Sequence, residues 1–230
     1  MRALFLLLAL AAVPAVAQPA VPPAPAAVSP ATDAAVDRLL AAMGGRERWA
    51  AATGYLTTGL LVVEGEKAPR ETTLWVRFDT PQTRSEARAP GSLRVTLLDG
   101  DRVVRRLDGV TGNADRATVA GEVLWWQGNL YRNLARLAKR DPALVVTLAG
   151  NRLTLSEAGD TLLWIRLSAE GRPAAFGNAL NEEGSELGPL VAQGDVRVPE
   201  FVRRNGGLWR QQMRSFALNP DFSGVSFTTP

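Results

Sequence analysis

No histidine and no cysteine occur among the 230 residues, and tyrosine occurs only twice. Without imidazole or thiolate the usual ligands of transition metals are missing, as are the Ser-His-Asp and Cys-His pairs that activate a nucleophile. Disulfides are excluded as well, so the fold has to rest on packing. A Gly-rich phosphate loop is lacking: Gly44-Gly45-Arg46 follows a helical pattern, where a nucleotide loop would follow a strand. Charge of one sign is lacking too. The 26 Lys and Arg against 23 Asp and Glu leave a net +3, and the signs alternate without a basic stripe interleaved with aromatics, so no nucleic acid partner is expected. No apolar run reaches the ~20 residues that span a bilayer.

Paired carboxylates are the acid–base chemistry that remains. Asp99 with Asp101, and Glu182 with Glu183, fall in or near expected turns, where neighbouring carboxylates are solvated surface. The set Asp99, Asp101, Asp108 and Asp115 lacks the spacing of an EF-hand and fits hairpin ends. Neither catalysis, nor a metal, nor a cofactor is expected.

What the chain does have begins at its N-terminus. Arg2, an apolar run over 3–13 and Ala15-Val16-Ala17 before Gln18 carry the charge, length and small-residue spacing that signal peptidase reads. Residues 1–17 are expected to be a signal peptide cleaved after Ala17, and residues 18–31 a Pro/Ala-rich leader in extended chain. Residues 32–230 remain as one domain, whose about 200 residues suffice for one sizeable core. With no cysteine to take a lipid anchor, the expected mature protein is soluble and periplasmic.

Val36, Leu39, Leu40 and Met43 recur at helical spacing after a Thr32 or Asp33 cap and before Gly44-Gly45. From Tyr55 the period becomes two: Thr72, Leu74, Val76 and Phe78 fall on one side of a strand, Thr73, Trp75 and Arg77 on the other. Strands follow at 84–88, 93–98 and, across an Asp99-Gly100 hairpin, 102–107. Residues 122–139 interrupt them with one helix on which Val123, Trp126, Leu130, Leu134 and Leu137 share a face. Further strands are expected at 144–148, 152–155, 161–168, 173–180, 191–198 and 208–217. The architecture expected is α+β: a large, strongly curved antiparallel sheet, a half-barrel of about 10–11 strands, with helices covering its concave face. Trp75, Phe78, Trp126, Leu130, Leu134 and Trp164 are candidates to line an apolar cavity between sheet and helix, and equally candidates for ordinary core.

Several short runs carry a family resemblance. Leu74-Trp75-Val76-Arg77, then Pro81, then Leu98-Asp99-Gly100 opening the next strand, resemble the central region of LolA-like lipoprotein carriers. The end, Phe216-Ala217-Leu218-Asn219-Pro220 through Val225-Ser226-Phe227-Thr228-Thr229-Pro230, is similar to that superfamily's closing segment. The opening helix with Gly44-Gly45 resembles periplasmic outer-membrane lipoprotein-sorting proteins. The resemblance implies a monomeric carrier without enzymatic activity, whose half-barrel shields lipid or lipoprotein acyl chains received from an inner-membrane transporter. It also admits a periplasmic regulatory or sensor module on the same fold, since the superfamily contains stress sensors. In such carriers a basic residue before the proline of the tryptophan-containing strand holds the helical lid. Arg77 is the nearest match, with Phe78, Asp79 and Thr80 intervening before Pro81. Residues 194–214 depart from the pattern as added hairpin material.

Overall fold

The computed structural model describes residues 29–204 and 207–230. The expected signal peptide, its cleavage point after Ala17 and most of the expected leader lie outside the described residues. Helix α1 (Pro30–Ala42) begins inside that leader, because Ser29 caps it in place of Thr32 or Asp33, its hydroxyl accepting from the Thr32 amide at 3.2 Å. Proline suits the first helical position, where its missing N–H has no helical partner to lose. A short α2 (Arg46–Ala50) follows. No described helix is long and apolar enough to cross a membrane.

Strands β1 (Gly54–Val63), β2 (Arg70–Arg77), β3 (Gln82–Ala89), β4 (Ser92–Asp99), β5 (Arg102–Leu107) and β6 (Val110–Asn113) run as an antiparallel meander. After α3 (Arg116–Gln127) and α4 (Leu130–Ala138) come β7 (Val145–Ala149), β8 (Arg152–Glu157), β9 (Asp160–Leu167), β10 (Pro173–Asn178) and β11 (Asn181–Leu187). The chain ends with β12 (Leu190–Gln193), β13 (Val196–Pro199), β14 (Phe201–Arg204) and β15 (Trp209–Leu218). Thirteen strands form one sheet in the order β6-β5-β4-β3-β2-β1-β15-β14-β11-β10-β9-β8-β7, while β12 and β13 pair apart as a hairpin.

The sheet is open, with β6 and β7 at its edges, and strongly curved. Laid flat, strands ~4.8 Å apart would separate β4 from β8 by roughly 40 Å. Instead Leu98 and Val103 from one side join Leu153, Leu155 and Leu163 from the other in a single buried cluster with the helices. Register defines the concave side: Tyr55 faces Val76, Val76 faces Thr83, and the row continues through Leu98 to Val103. On the convex side Arg84, Leu97 and Val104 align, and Val95, Leu97 and Val104 form a second, small cluster. There the closing run of the sequence acts as a strap. Arg84 donates to the carbonyls of Ser226 and Thr229 at 3.0 and 3.1 Å, and Phe227 is buried.

Two helices replace the single one expected over 122–139. A Cβ at Gly128 would lie 2.7 Å from both the Leu162 carbonyl oxygen and the Asn178 Cβ, so only glycine lets the chain pass this close to β9 and β10. Asn129 then opens α4, its side-chain oxygen accepting from the amides of Tyr131 and Arg132 at 3.1 Å each. The expected strand at 191–198 is the β12–β13 hairpin, turning at Gly194 with φ +59. Glu182 and Glu183, expected near a turn, stand exposed within β11.

Candidate functional site on the concave face

Helix α4 is strongly amphipathic and buries Leu130, Tyr131, Leu134 and Leu137. Beneath it the aromatics of four elements meet. Trp49 stacks on Tyr131 with centroids 5.9 Å apart, Tyr131 lies 4.7 Å from Phe216, and Tyr55 lies 5.2 Å from Phe216 and 5.9 Å from Phe78. Polar contacts fasten the helix pair onto this core. Asn129 Nδ2 donates to the Tyr55 hydroxyl at 3.0 Å, Trp126 Nε1 to the Arg77 carbonyl at 2.7 Å, and Arg132 Nε to the Phe78 carbonyl at 3.2 Å. The Arg132 guanidinium also stacks 3.8 Å from the centre of the Trp126 ring. Burial pushes that guanidinium down to about 10, with the positive charge of Arg136 acting in the same direction. Arg136 ties α4 to β8 through Glu157 at 2.8 Å, and this bond holds the Glu157 carboxyl below the usual carboxylate range.

The structure brings four of the six candidate lining residues together. Phe78, Trp126, Leu130 and Leu134 converge on the concave core, and Leu134 is completely buried. Trp75 and Trp164 are corrected to the opposite face. Trp75 alternates with inward Val76, is half-buried, and pairs in register with Leu56 and Arg84. Trp164 lies against Gly177 and Gly184, where an added Cβ would come within 2.5 and 2.4 Å of the indole, and Arg152 stacks on it at 4.4 Å. That indole borders a cleft of about 880 Å³ shared with Gln127, Leu162 and Asn178. The Arg77 side chain is no latch: it donates to Asp79 at 3.0 Å and Gln82 at 3.2 Å. Its backbone carbonyl does the fastening, through Trp126.

The other half of the concave face carries a surface that no sequence motif marked. Leu61 and Val63 share the inward side of β1 with Tyr55. Register extends them into two rows, Val63–Trp209–Arg204 and Leu61–Gln211–Val202–Leu187. Leu61, Val63, Val202 and Trp209 are each half-buried and lie outside the main cluster. The helices make their main backbone contacts to the sheet with β4, β5 and β7, away from these rows. Alternating apolar residues at both ends of a long sheet pair were the available sign, but the pairing of β1 with β15 is not written in either segment.

No family model and no curated protein matches the chain. Among solved structures it is similar to a DUF1329 family protein from Desulfovibrio piger, at 9% identity and a TM-score of 0.46, over 85% of this chain and 95% of that one. It is also similar to MucB in complex with MucA(peri), at 15% identity and a TM-score of 0.24, over 86% of this chain and 60% of that one.

Two cations flank the open rows: Arg70, opposite Leu61 and paired with Glu66, and Arg204 at the far end. Arg204 Nε donates to the Ser185 hydroxyl at 3.0 Å, and its guanidinium sits 4.9 Å from the centre of the Trp209 ring. Burial pushes this guanidinium below its ordinary value. Its neighbour Arg203, on the convex side, is paired with Glu186. The concave face thus has a closed, aromatic half under α4 and an open half of apolar side chains interspersed with Gln211 and the Glu66-paired Arg70, ending at an Arg204 fork without a carboxylate among the described residues.

Proposed function

We propose that this chain is a periplasmic, non-enzymatic carrier or binding protein for lipid or lipoprotein acyl chains, a divergent member of the LolA-like superfamily. The observation that carries this reading is the open half of the concave face, where Leu61, Val63, Val202 and Trp209 form half-buried apolar rows beside the helix-covered core. Each buried methylene contributes about 0.8 kcal/mol, so a long chain is held by such a surface without covalent chemistry or a cofactor. An inner-membrane transporter is the donor that fits this role, with the protein acting as a monomer.

The test is mass spectrometry of lipid extracted from protein purified from its native envelope, together with titration of a neutral acyl probe. Stoichiometric lipid and saturable binding weakened by Leu61→Asp are expected, with the circular dichroism of the sheet unchanged. Absence of both lipid and probe binding would sink the reading. A specific observation favours a second one: the side chains under α4 are packed shut, with Leu134 fully buried, as in an interaction module of regulatory type on the same fold. That module would return an empty extract.

A further inference from the structure

We infer that Arg204 marks the headgroup end of the open concave surface and that the cargo is a single-chain amphiphile ending in a carboxylate. This rests on the acyl-binding reading above and adds to it the chemistry of the head. Arg204 points to the concave side, since it pairs in register with Trp209, which pairs with Val63. Among the described residues it has no carboxylate partner: its contacts are the Ser185 hydroxyl and the Trp209 ring. Other arginines drawn from water have their N–H groups engaged: Arg136 by Asp141 and Glu157, Arg70 by Glu66, and Arg132, which also lacks a carboxylate among the described residues, by the carbonyls of Phe78 and Gln127. A guanidinium withdrawn from water without a counter-charge is costly, and an anion that reaches it from outside is correspondingly favoured.

The geometry narrows the anion. Nε is committed to Ser185, which leaves the two terminal nitrogens as a planar fork, the arrangement that takes a carboxylate in two parallel hydrogen bonds. One cation matches one negative charge, whereas a phosphate monoester carries nearly two and calls for further donors. From this fork the rows lead along β1 and β15 past Leu61 and Gln211, whose amide donates to the Thr72 hydroxyl at 2.7 Å, toward half-buried Met213. The four steps from Trp209 to Met213 span about 13 Å at the rise of a strand, room for much of a long acyl chain.

The experiment titrates the full chain with cis-parinaric acid and with its methyl ester, which share a hydrocarbon and differ in the charged head. The acid is expected to bind at least about tenfold tighter than the ester, the scale of one charge-assisted pair. Arg204→Met should bring the acid to the affinity of the ester and leave the ester unchanged, and Arg204→Lys should restore part of the difference. Arg203→Met, which breaks the Glu186 pair on the convex face, should change neither probe. Equal binding of acid and ester by the unmodified chain, or an unchanged acid affinity in Arg204→Met with native circular dichroism, overturns the headgroup assignment while leaving acyl binding intact. A lysophosphatidic acid of matched chain that competes more strongly than the fatty acid overturns the carboxylate. Failure of both acid and ester to bind removes the acyl-binding reading along with this one.

Discussion

Tyr55 and Tyr131 are the only tyrosines of the protein, and both lie in the closed half of the concave face, 2% and 8% exposed with ring centroids 5.0 Å apart. Burial pushes both hydroxyls well above the ordinary tyrosine range. The hydrogen bond from Asn129 offsets part of this for Tyr55, and the neighbouring Tyr55 adds to it for Tyr131. In the unfolded chain each titrates near about 10. Above that pH the unfolded state releases protons that the folded state retains, so the stability from keeping these groups neutral is complete below about 10 and is lost as pH rises toward the folded values. Each tyrosine then costs about 1.4 kcal/mol per pH unit. Between about pH 9 and about pH 11 the pair should remove about 3 kcal/mol of unfolding free energy, a large share of the roughly 5–15 kcal/mol a domain possesses. Urea titrations followed by tryptophan emission at the two pH values measure this loss. The near-ultraviolet absorbance of tyrosinate supplies an independent check, since no other tyrosine contributes. Tyrosinate should appear only together with unfolding. Ionisation near about pH 10 in protein that still shows native tryptophan emission would refute the burial argument.

Asn129→Ala should destabilise by about 2–4 kcal/mol, by uncapping α4 and by leaving the Tyr55 hydroxyl without its donor. Combined with Tyr55→Phe, the same change should cost only the cap, about 1 kcal/mol, and equal costs in both backgrounds would show that the Asn129–Tyr55 bond contributes nothing. Gly128→Ala places a methyl 2.7 Å from the Leu162 carbonyl oxygen and the Asn178 Cβ, and should lower stability by about 2 kcal/mol or more with faster hydrogen exchange through α3 and α4. Wild-type stability and exchange in that variant would mean that the helix link does not press on β9 and β10.

The half-barrel was legible because its causes are local. Alternation in β2 to β5, the Asp99-Gly100 turn and the apolar stripe of α4 are each encoded within a few residues. Asp108 does what hairpin chemistry predicts, taking φ +50 and accepting from the Leu93 amide, whereas Asp115, expected at a hairpin end, caps α3 instead. The break at Gly128 was hidden because the apolar period runs across it, and its cause, the approach of Leu162 and Asn178, comes from residues 34 and 50 positions further on. Size alone makes Trp75 and Trp164 candidates for a cavity or for the core. Their faces follow from strand parity, which places each opposite its inward neighbour, Val76 or Ile165. Arg204 was invisible as a candidate, since one arginine among many becomes distinctive only when its neighbours in space prove to hold no acid.

If the protein carries an acyl chain as proposed, magnitudes decide which half of the concave face would receive it. Lifting α4 would expose Leu130, Tyr131, Leu134 and Leu137, at about 1.5–3 kcal/mol each, and break the bonds from Asn129, Trp126 and Arg132 at about 1 kcal/mol each. The sum, roughly 9–15 kcal/mol, is as large as the whole stability of a domain. An acyl chain of about fourteen methylenes returns roughly 11 kcal/mol on burial, before the cost of immobilising it. A chain that had to displace α4 would therefore bind with almost no net affinity, whereas one laid along Leu61, Val63, Val202 and Trp209 would be buried on one side only but would displace none of these contacts. On this arithmetic the proposed carrier would use the helix pair as a fixed wall and the neighbouring open rows as the receiving surface, and opening the wall would need a partner that supplies its own binding energy.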